Sequence, residues 1–516
     1  MSVLRKKPVA DVLAQSEIDE HGDPLPDRGH LAKSLRARDL IGFGIGIVIG
    51  TGIFTLTGLE ARVHAGPGIV ISFLVAGAVS LLAALCYAEL AAAVPAAGSS
   101  YTYAYTTIGE IFAWIIAWDL ILEFALGSAV VARGWSAYLL GVFDALPSSL
   151  FGEKSVVNLG AVFIVVVLGI VAIRGVRQSA WVTNTLVVLK VSVVIFVIAV
   201  GAFFIRAANW APFVPPSKPV PASEQQGGLT APLWQLITGV DPSSFGMAGV
   251  FVAAAIVFFA YSGFEAVANL GEETRNPKRD MPVGLLGTLG ICTLLYVLVC
   301  LVITGMVKYT DLSKGDAVAQ VFRDVGLGWA GALVGLAAVA GLSSVILVEL
   351  VTMGRIGFAL ARDGLLPTAF SRVHPIWRTP VLMTVLTVVG VSLLAAFIPL
   401  STLAEMVSIG TLFAFLIVSI AVPVLRVTNP GMRRPFRTPL SPVLPIVSAG
   451  CCIGLMTNLA AETWLRFLVW LAVGLLIYGF YGRRHARLGR VRDGRGAPDT
   501  TVPETGGMAG TAATDG

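Results

Sequence analysis

Uninterrupted apolar stretches long enough to cross a hydrocarbon core, about 20 residues at about 1.5 Å of helical rise each, recur along the whole chain. They fall near 39–60, 67–95, 108–142, 156–174, 180–205, 246–270, 281–306, 327–361, 379–399, 402–426, 439–459 and 462–481. A chain built this way has lipid as its solvent. At that depth an open sheet or a lipid-facing loop would leave backbone groups unpaired, and an outer-membrane barrel would show short alternating segments instead. The expectation is an all-α integral membrane protein of twelve spans. Composition agrees, with 56% hydrophobic and only 13% charged residues among 516, about half the charge of a soluble globule.

The formal charge of +5 does not mark a nucleic-acid binder, because the positive residues form no single patch and accompany no such motif. They alternate between loops. The segments holding Arg36 and Arg38, Arg174 and Arg177, Arg275 with Lys278 and Arg279, Arg362 with Arg372 and Arg378, and Arg426 with Arg433, Arg434 and Arg437 fall on one side, with the arginine-rich 483–495 tail. The opposite loops hold fewer, such as Lys154, Arg206, Lys218 and Lys308. The excess predicts the cytoplasmic side, with both termini inside. No apolar h-region stands near the start, so no cleavable signal is expected. Cys86, Cys292, Cys300, Cys451 and Cys452 lie inside apolar runs without metal-ligand spacing, which predicts neither disulfides nor a zinc site.

Two spans carry internal breaks. Gly42-Phe43-Gly44-Ile45-Gly46-Ile47-Val48-Ile49-Gly50-Thr51-Gly52 puts five glycines into the first, and Phe259-Ala260-Tyr261-Ser262-Gly263-Phe264-Glu265 interrupts the sixth. Glycine in a membrane helix serves either unwinding or close packing. Matching breaks in the first helices of two successive five-helix sets point to an inverted-repeat transporter with its substrate at the breaks. Unwinding exposes N–H groups on one half-helix and carbonyls on the other, and an α-amino acid's carboxylate and ammonium satisfy both. The corresponding organisation is an N-tail over 1–38, a first repeat over 39–205, a loop over 206–245, a second repeat over 246–426, two further helices over 427–481, and a C-tail over 482–516. The Gly-, Thr- and charge-rich tails read as disordered.

Ionisable residues deep in apolar runs cost several kcal/mol each and are functional candidates. Lys190 stands about ten residues from either end of its span, too deep to snorkel. An amine held there can release and regain a proton, which suits a proton carrier; a permanently paired, helix-tying lysine is the alternative. Glu123 and Glu265 are acidic candidates, although Glu265 can equally serve the start of a half-helix. Glu349 and Arg133 are further buried charges whose roles spacing does not decide.

Several stretches together identify a resemblance. GIGIVIGTGIFTLTG (Gly44–Gly58), CYAELAAAVPAAGSSYTYAY (Cys86–Tyr105), WDLILEFA (Trp118–Ala125) with Gly134-Trp135-Ser136, FFAYSGFEAVANLGEETRNPKRDMP (Phe258–Pro282), RIGFALARDGLLP (Arg355–Pro367), Val373-His374-Pro375 and Thr379-Pro380 run in order over about 35–480. The chain resembles the amino acid–polyamine–organocation superfamily, in its bacterial branch similar to the cationic amino acid transporters. The resemblance implies that Val48, Gly50, Thr51 and Gly52 bind the carboxylate and line the pocket. It likewise gives the ammonium to Phe259, Ala260 and Ser262, makes Phe259 a gate, and places Glu123 and Tyr296 in the pocket wall. Lys190 matches the family's fifth-helix lysine, implying coupling to protons and no sodium or other cofactor. Departures are Glu265 for a usual aspartate, Ser262 for a frequent larger apolar residue, and the added Glu349.

The expected function is secondary active, proton-coupled uptake of small neutral or cationic L-amino acids across the cell's inner membrane. An exchanger or polyamine carrier of the same fold, and a non-transporting sensor, are the alternatives. No nucleophile, metal or acid–base cluster points to an enzyme. The bilayer and a free amino acid are the expected partners, nucleic acid is not, and a small single-helix accessory subunit has room in the scheme.

Overall fold

The computed structural model describes residue 5 and residues 35–94, 99–143, 145–152, 155–174, 180–219, 229–240, 243–372, 374, 377 and 379–486. Most of both tails expected to be disordered, part of the 206–245 loop, Lys154, Arg177, Arg378, Val373 and Pro375 lie outside these residues. By length and composition, eight helical stretches among the described residues can cross a membrane, and three shorter apolar helices accompany them. Polar crossover structure is minimal, a two-residue antiparallel pairing of Lys218–Pro219 with Ser243–Ser244.

The chain enters through α1 (Ala37–Val48) and, after an interruption, continues to Ala65, where Gly66-Pro67-Gly68 turns it into α2 (Ile69–Ala93). Gly66 has φ +58°, a conformation that glycine adopts without penalty. A short α3 (Ser99–Thr107) leads to α4 (Glu110–Val142), then α5 (Leu159–Ile173) and α6 (Ala180–Gly201). Asn158 starts α5 by accepting the Ala161 N–H at 2.9 Å, a side-chain cap for an otherwise unpaired donor. Beyond the loop come α7 (Gly246–Val257), α8 (Pro277–Met306), α9 (Gly328–Arg362), α10 (Val381–Phe397), α11 (Leu400–Thr428), α12 (Val443–Met456) and α13 (Ala461–Ile477).

Packing divides these helices into groups that meet around the interrupted segments. α4 lies against α9 and α11, while α8 lies against α1 and α2. Small residues let the backbones approach: a Cβ on Gly44 would fall 2.4 Å from the Thr288 hydroxyl oxygen, and one on Gly46 would fall 2.4 Å from Val187 Cγ2. The outward faces are apolar as well. Phe163, Val188, Leu294, Leu386 and Leu468 are all exposed, an arrangement that lipid satisfies and water does not.

Two of the buried charges are held by several hydrogen bonds each. Glu89 on α2 accepts Arg426 Nε at 3.0 Å, Arg426 Nη2 at 2.6 Å and the Thr438 N–H at 2.7 Å. That set ties the ends of α2 and α11 to the segment beyond. Arg133, undecided by spacing, donates to the Ala395 and Ala396 carbonyls at 2.9 and 3.0 Å. It satisfies carbonyls that the last turn of α10 leaves without helical donors, and its charge suits that end of the helix.

Candidate functional site

The first interruption is narrower than five glycines suggest. Gly42, Gly44 and Gly46 lie inside regular α1, the latter two as packing surfaces. The backbone leaves the helix at Ile49, which is extended at φ −74° and ψ 99°, and re-enters as a π-helical turn over Gly52–Leu56. Gly50 is the hinge. A continuous helix would pair the Val48 carbonyl with the Gly52 N–H; here that carbonyl accepts the Tyr296 hydroxyl at 2.7 Å.

The second interruption follows α7. A 3-10 turn over Phe258–Tyr261 ends at extended Ser262, and Gly263 takes φ +101°. The half-helix expected after it is a 3-10 segment, Phe264–Glu273, and not an α-helix. Glu265 accepts the Gly263 N–H at 3.0 and 3.1 Å, so it serves the start of its own segment. The Phe259 N–H, left over by the break, donates to Ser408 Oγ at 3.2 Å, and Ser408 donates to the Ile256 carbonyl at 2.9 Å.

The two interruptions touch. A Cβ on Gly52 would lie 2.3 Å from Ala260 Cβ and 2.5 Å from its Cα, so only glycine permits the approach. Tyr296 on α8 clasps them, its hydroxyl 2.7 Å from the Val48 carbonyl and 2.9 Å from the Ala260 carbonyl. Glu123 on α4 joins the second break by accepting Ser262 Oγ at 2.6 Å and Thr411 Oγ1 at 2.8 Å. Thus Val48, Gly52, Ala260, Ser262, Tyr296 and Glu123 form one cluster at the paired breaks. Thr51, which is 1% exposed, contributes a hydroxyl that has no protein partner among the described residues. Gly50 meets Val345 on α9 at ordinary contact distance, 3.7 Å from a built Cβ.

Lys190 stands on α6. It is 1% exposed, and its Nζ donates to the Gly46 carbonyl at 3.0 Å, two residues before Val48. Gly341 on α9 makes space for its stem, since a Cβ there would sit 3.0 Å from both Cε and Cγ. Among the described residues no carboxylate forms an ion pair with it. Glu349 faces α4, where Gly127 leaves room for it, a built Cβ being 3.0 Å from Oε1; its Oε2 is buried without a partner. Among the described residues no group of three His, Cys, Asp or Glu side chains could hold a metal ion.

Sequence reasoning missed Ser408 and Thr411 on α11 and Asp119 on α4. Hydroxyl residues occur in nearly every span, so nothing marked the two that reach the break. Asp119 stood in plain view one turn before Glu123, but only packing shows what surrounds it.

The clasp has a testable strength. Tyr296→Phe removes the donor to two buried carbonyls, a loss of about 1–3 kcal/mol. Substrate affinity of the purified protein is expected to fall about tenfold, read by equilibrium binding. Unchanged affinity would show that the tyrosine does not hold the breaks in their binding arrangement.

The profile of the family described as amino acid permease matches residues 35–480. The methylthioribose transporter of Bacillus subtilis (strain 168) is 41% identical over 498 residues, covering 95% of this chain and 100% of the relative. The branched-chain amino acid permease BcaP of the same organism is 40% identical over 499 residues, with 94% and 99% covered. Cationic amino acid transporter 3, mitochondrial, of Arabidopsis thaliana is 37% identical over 448 residues, with 85% of this chain and 69% of the relative covered.

Proposed function

The chain belongs to the amino acid permease family of the amino acid–polyamine–organocation superfamily, a multi-pass membrane transporter and not an enzyme, and from that premise we propose that it carries small neutral or cationic L-amino acids into the cell together with protons. The observation that supports an amino acid as cargo is the pair of touching breaks clasped by Tyr296. Broken ends offer N–H and carbonyl groups to the two charges of a zwitterion. In this reading the carboxylate lies along Val48 to Gly52, the ammonium at Phe259, Ala260 and Ser262, and Phe259 gates the pocket.

The same reading takes the helices as twelve spans, five plus five in inverted repeat with α12 and α13 appended. Broken helices in matching positions and the alternation of arginine between loops support it, with both termini cytoplasmic in the cell membrane. Proton coupling is read from Lys190, which reaches the first broken helix beside the site and has no ion-pair partner among the described residues. Sodium has no part in it.

Analogues test the zwitterion. An α-amide or an N-acetylated amino acid leaves backbone groups of a break unpaired at about 1–3 kcal/mol each. Each is expected to compete for uptake into proteoliposomes at least about tenfold more weakly than its parent. Equal competition by the amide would replace the amino acid with a polyamine-like cargo, and strong competition by methylthioribose, which has neither group, would move the substrate to that of the Bacillus relative.

A further inference from the structure

Asp119 lies nine residues into α4, about 14 Å along the helix from Glu110, and is 0% exposed. Among the described residues neither of its buried carboxylate oxygens has a hydrogen-bond partner. Its neighbour across the interface is the backbone of α11 at Gly410, where a Cβ would fall 3.0 Å from Oδ1. The glycine admits the carboxyl and offers it no side-chain donor. An ionised carboxylate in that setting is costly in a membrane interior, yet tighter polar packing is within reach one turn away.

That next turn holds Glu123, which acts on Asp119 electrostatically. Thr411, the residue after Gly410, donates to Glu123 at 2.8 Å, and Ser262 of the second break donates to the same oxygen at 2.6 Å. α11 presents Gly410 and Thr411, and α13 presents Trp470 and Gly474 against the adjacent Trp118. Glu123, bonded to the substrate break, and Asp119 therefore lie one turn apart on α4, and among the described residues the two Asp119 oxygens are unfilled.

We infer that Asp119 is a proton-carrying residue of the transport cycle, a second site separate from Lys190 and linked to the substrate break through Glu123, Thr411 and Ser262. The step is simple in its balance. The Asp119 carboxylate takes one proton from the aqueous phase on one side to become the neutral acid, and that proton leaves to the other side after the cycle. While Ser262 and Thr411 both donate to Glu123, that side chain is served as a carboxylate and the proton sits on Asp119. When the break rearranges and Ser262 withdraws, Glu123 can receive it, which couples proton position to the state of the break.

The inference rests on the proton-coupled reading, and the experiment separates the two. Protons moved per substrate are measured in proteoliposomes from the pH gradient that just balances a substrate gradient, beside substrate counterflow at equal pH inside and out. Asp119→Asn keeps the shape and removes the titration. It is expected to retain counterflow within about twofold and to move one proton fewer per substrate, with a flattened pH profile of uptake. A wild-type protein that moves no protons with substrate overturns the coupling and this inference together. Wild-type coupling with an unchanged ratio in Asp119→Asn overturns the Asp119 role alone, as does loss of counterflow and coupling in parallel by a folded variant. Should the variant fail to fold, a hydrophobic carbodiimide, which adds to protonated carboxyls in apolar surroundings, serves on the wild type. Labelling at Asp119 that rises as the pH falls supports the role, and no labelling at any pH ends it.

Discussion

Lys190→Ala is expected to abolish concentrative uptake into proteoliposomes under an acid-outside gradient while leaving substrate exchange measurable. The side chain's Nζ donates to the Gly46 carbonyl at 3.0 Å, on the same helix whose interruption two residues later forms the site. Holding or releasing a proton at Nζ changes how firmly α6 grips α1, and so links the proton to the conformation of the break. Accumulation should fall at least about hundredfold, towards equilibration, since a carrier without its coupling step dissipates the gradient. Lys190→Arg should not restore it, because guanidinium keeps its proton throughout this range. It also needs more space than the stem has beside Gly341, where a Cβ would already be 3.0 Å away. Sodium in place of the pH gradient should drive nothing. Full pH-driven accumulation by Lys190→Ala would remove this lysine from the coupling scheme.

Gly52→Ala should abolish high-affinity binding where Gly50→Ala does not. The contrast follows from space. A methyl on Gly52 meets Ala260 Cβ at 2.3 Å and its Cα at 2.5 Å, and part of that obstacle is backbone; a methyl on Gly50 meets Val345 at 3.7 Å, an ordinary contact. Forcing atoms into a filled site costs about 1–3 kcal/mol, and here relief comes by separating the two breaks that together would hold the substrate. Affinity is expected to fall about ten- to hundredfold in Gly52→Ala and further in Gly52→Leu. Equilibrium binding with the purified variants, beside a size-exclusion profile that verifies folding, makes the comparison. Equal loss in both alanine variants would mean that unwinding freedom, and not close approach, is what the glycines supply.

The clasped breaks also show where reading the chain succeeded. Lipid requires every backbone group to be paired within the protein, so long apolar runs could become little other than helices, and the interruptions at Gly50 and Ser262 stood out against them. Arg133 and Glu265 were legible as anomalies but not as roles. One completes the end of α10 and the other the start of the segment after Gly263, and both uses depend on which helix end comes near.

From the residues alone, then, came the membrane class, the helical fold, the positions of the two breaks and the depth of Lys190, because each follows from local composition and the pairing demands of a backbone in hydrocarbon. Tertiary structure decided the rest: that Gly52 exists for Ala260, that Tyr296 joins two carbonyls 212 residues apart in sequence, that Thr411 and Ser262 share Glu123, and that Asp119 is left with no donor. These are contacts between distant segments, and a hydroxyl or carboxyl acquires its role from the neighbour it meets across a helix interface, which no local pattern encodes.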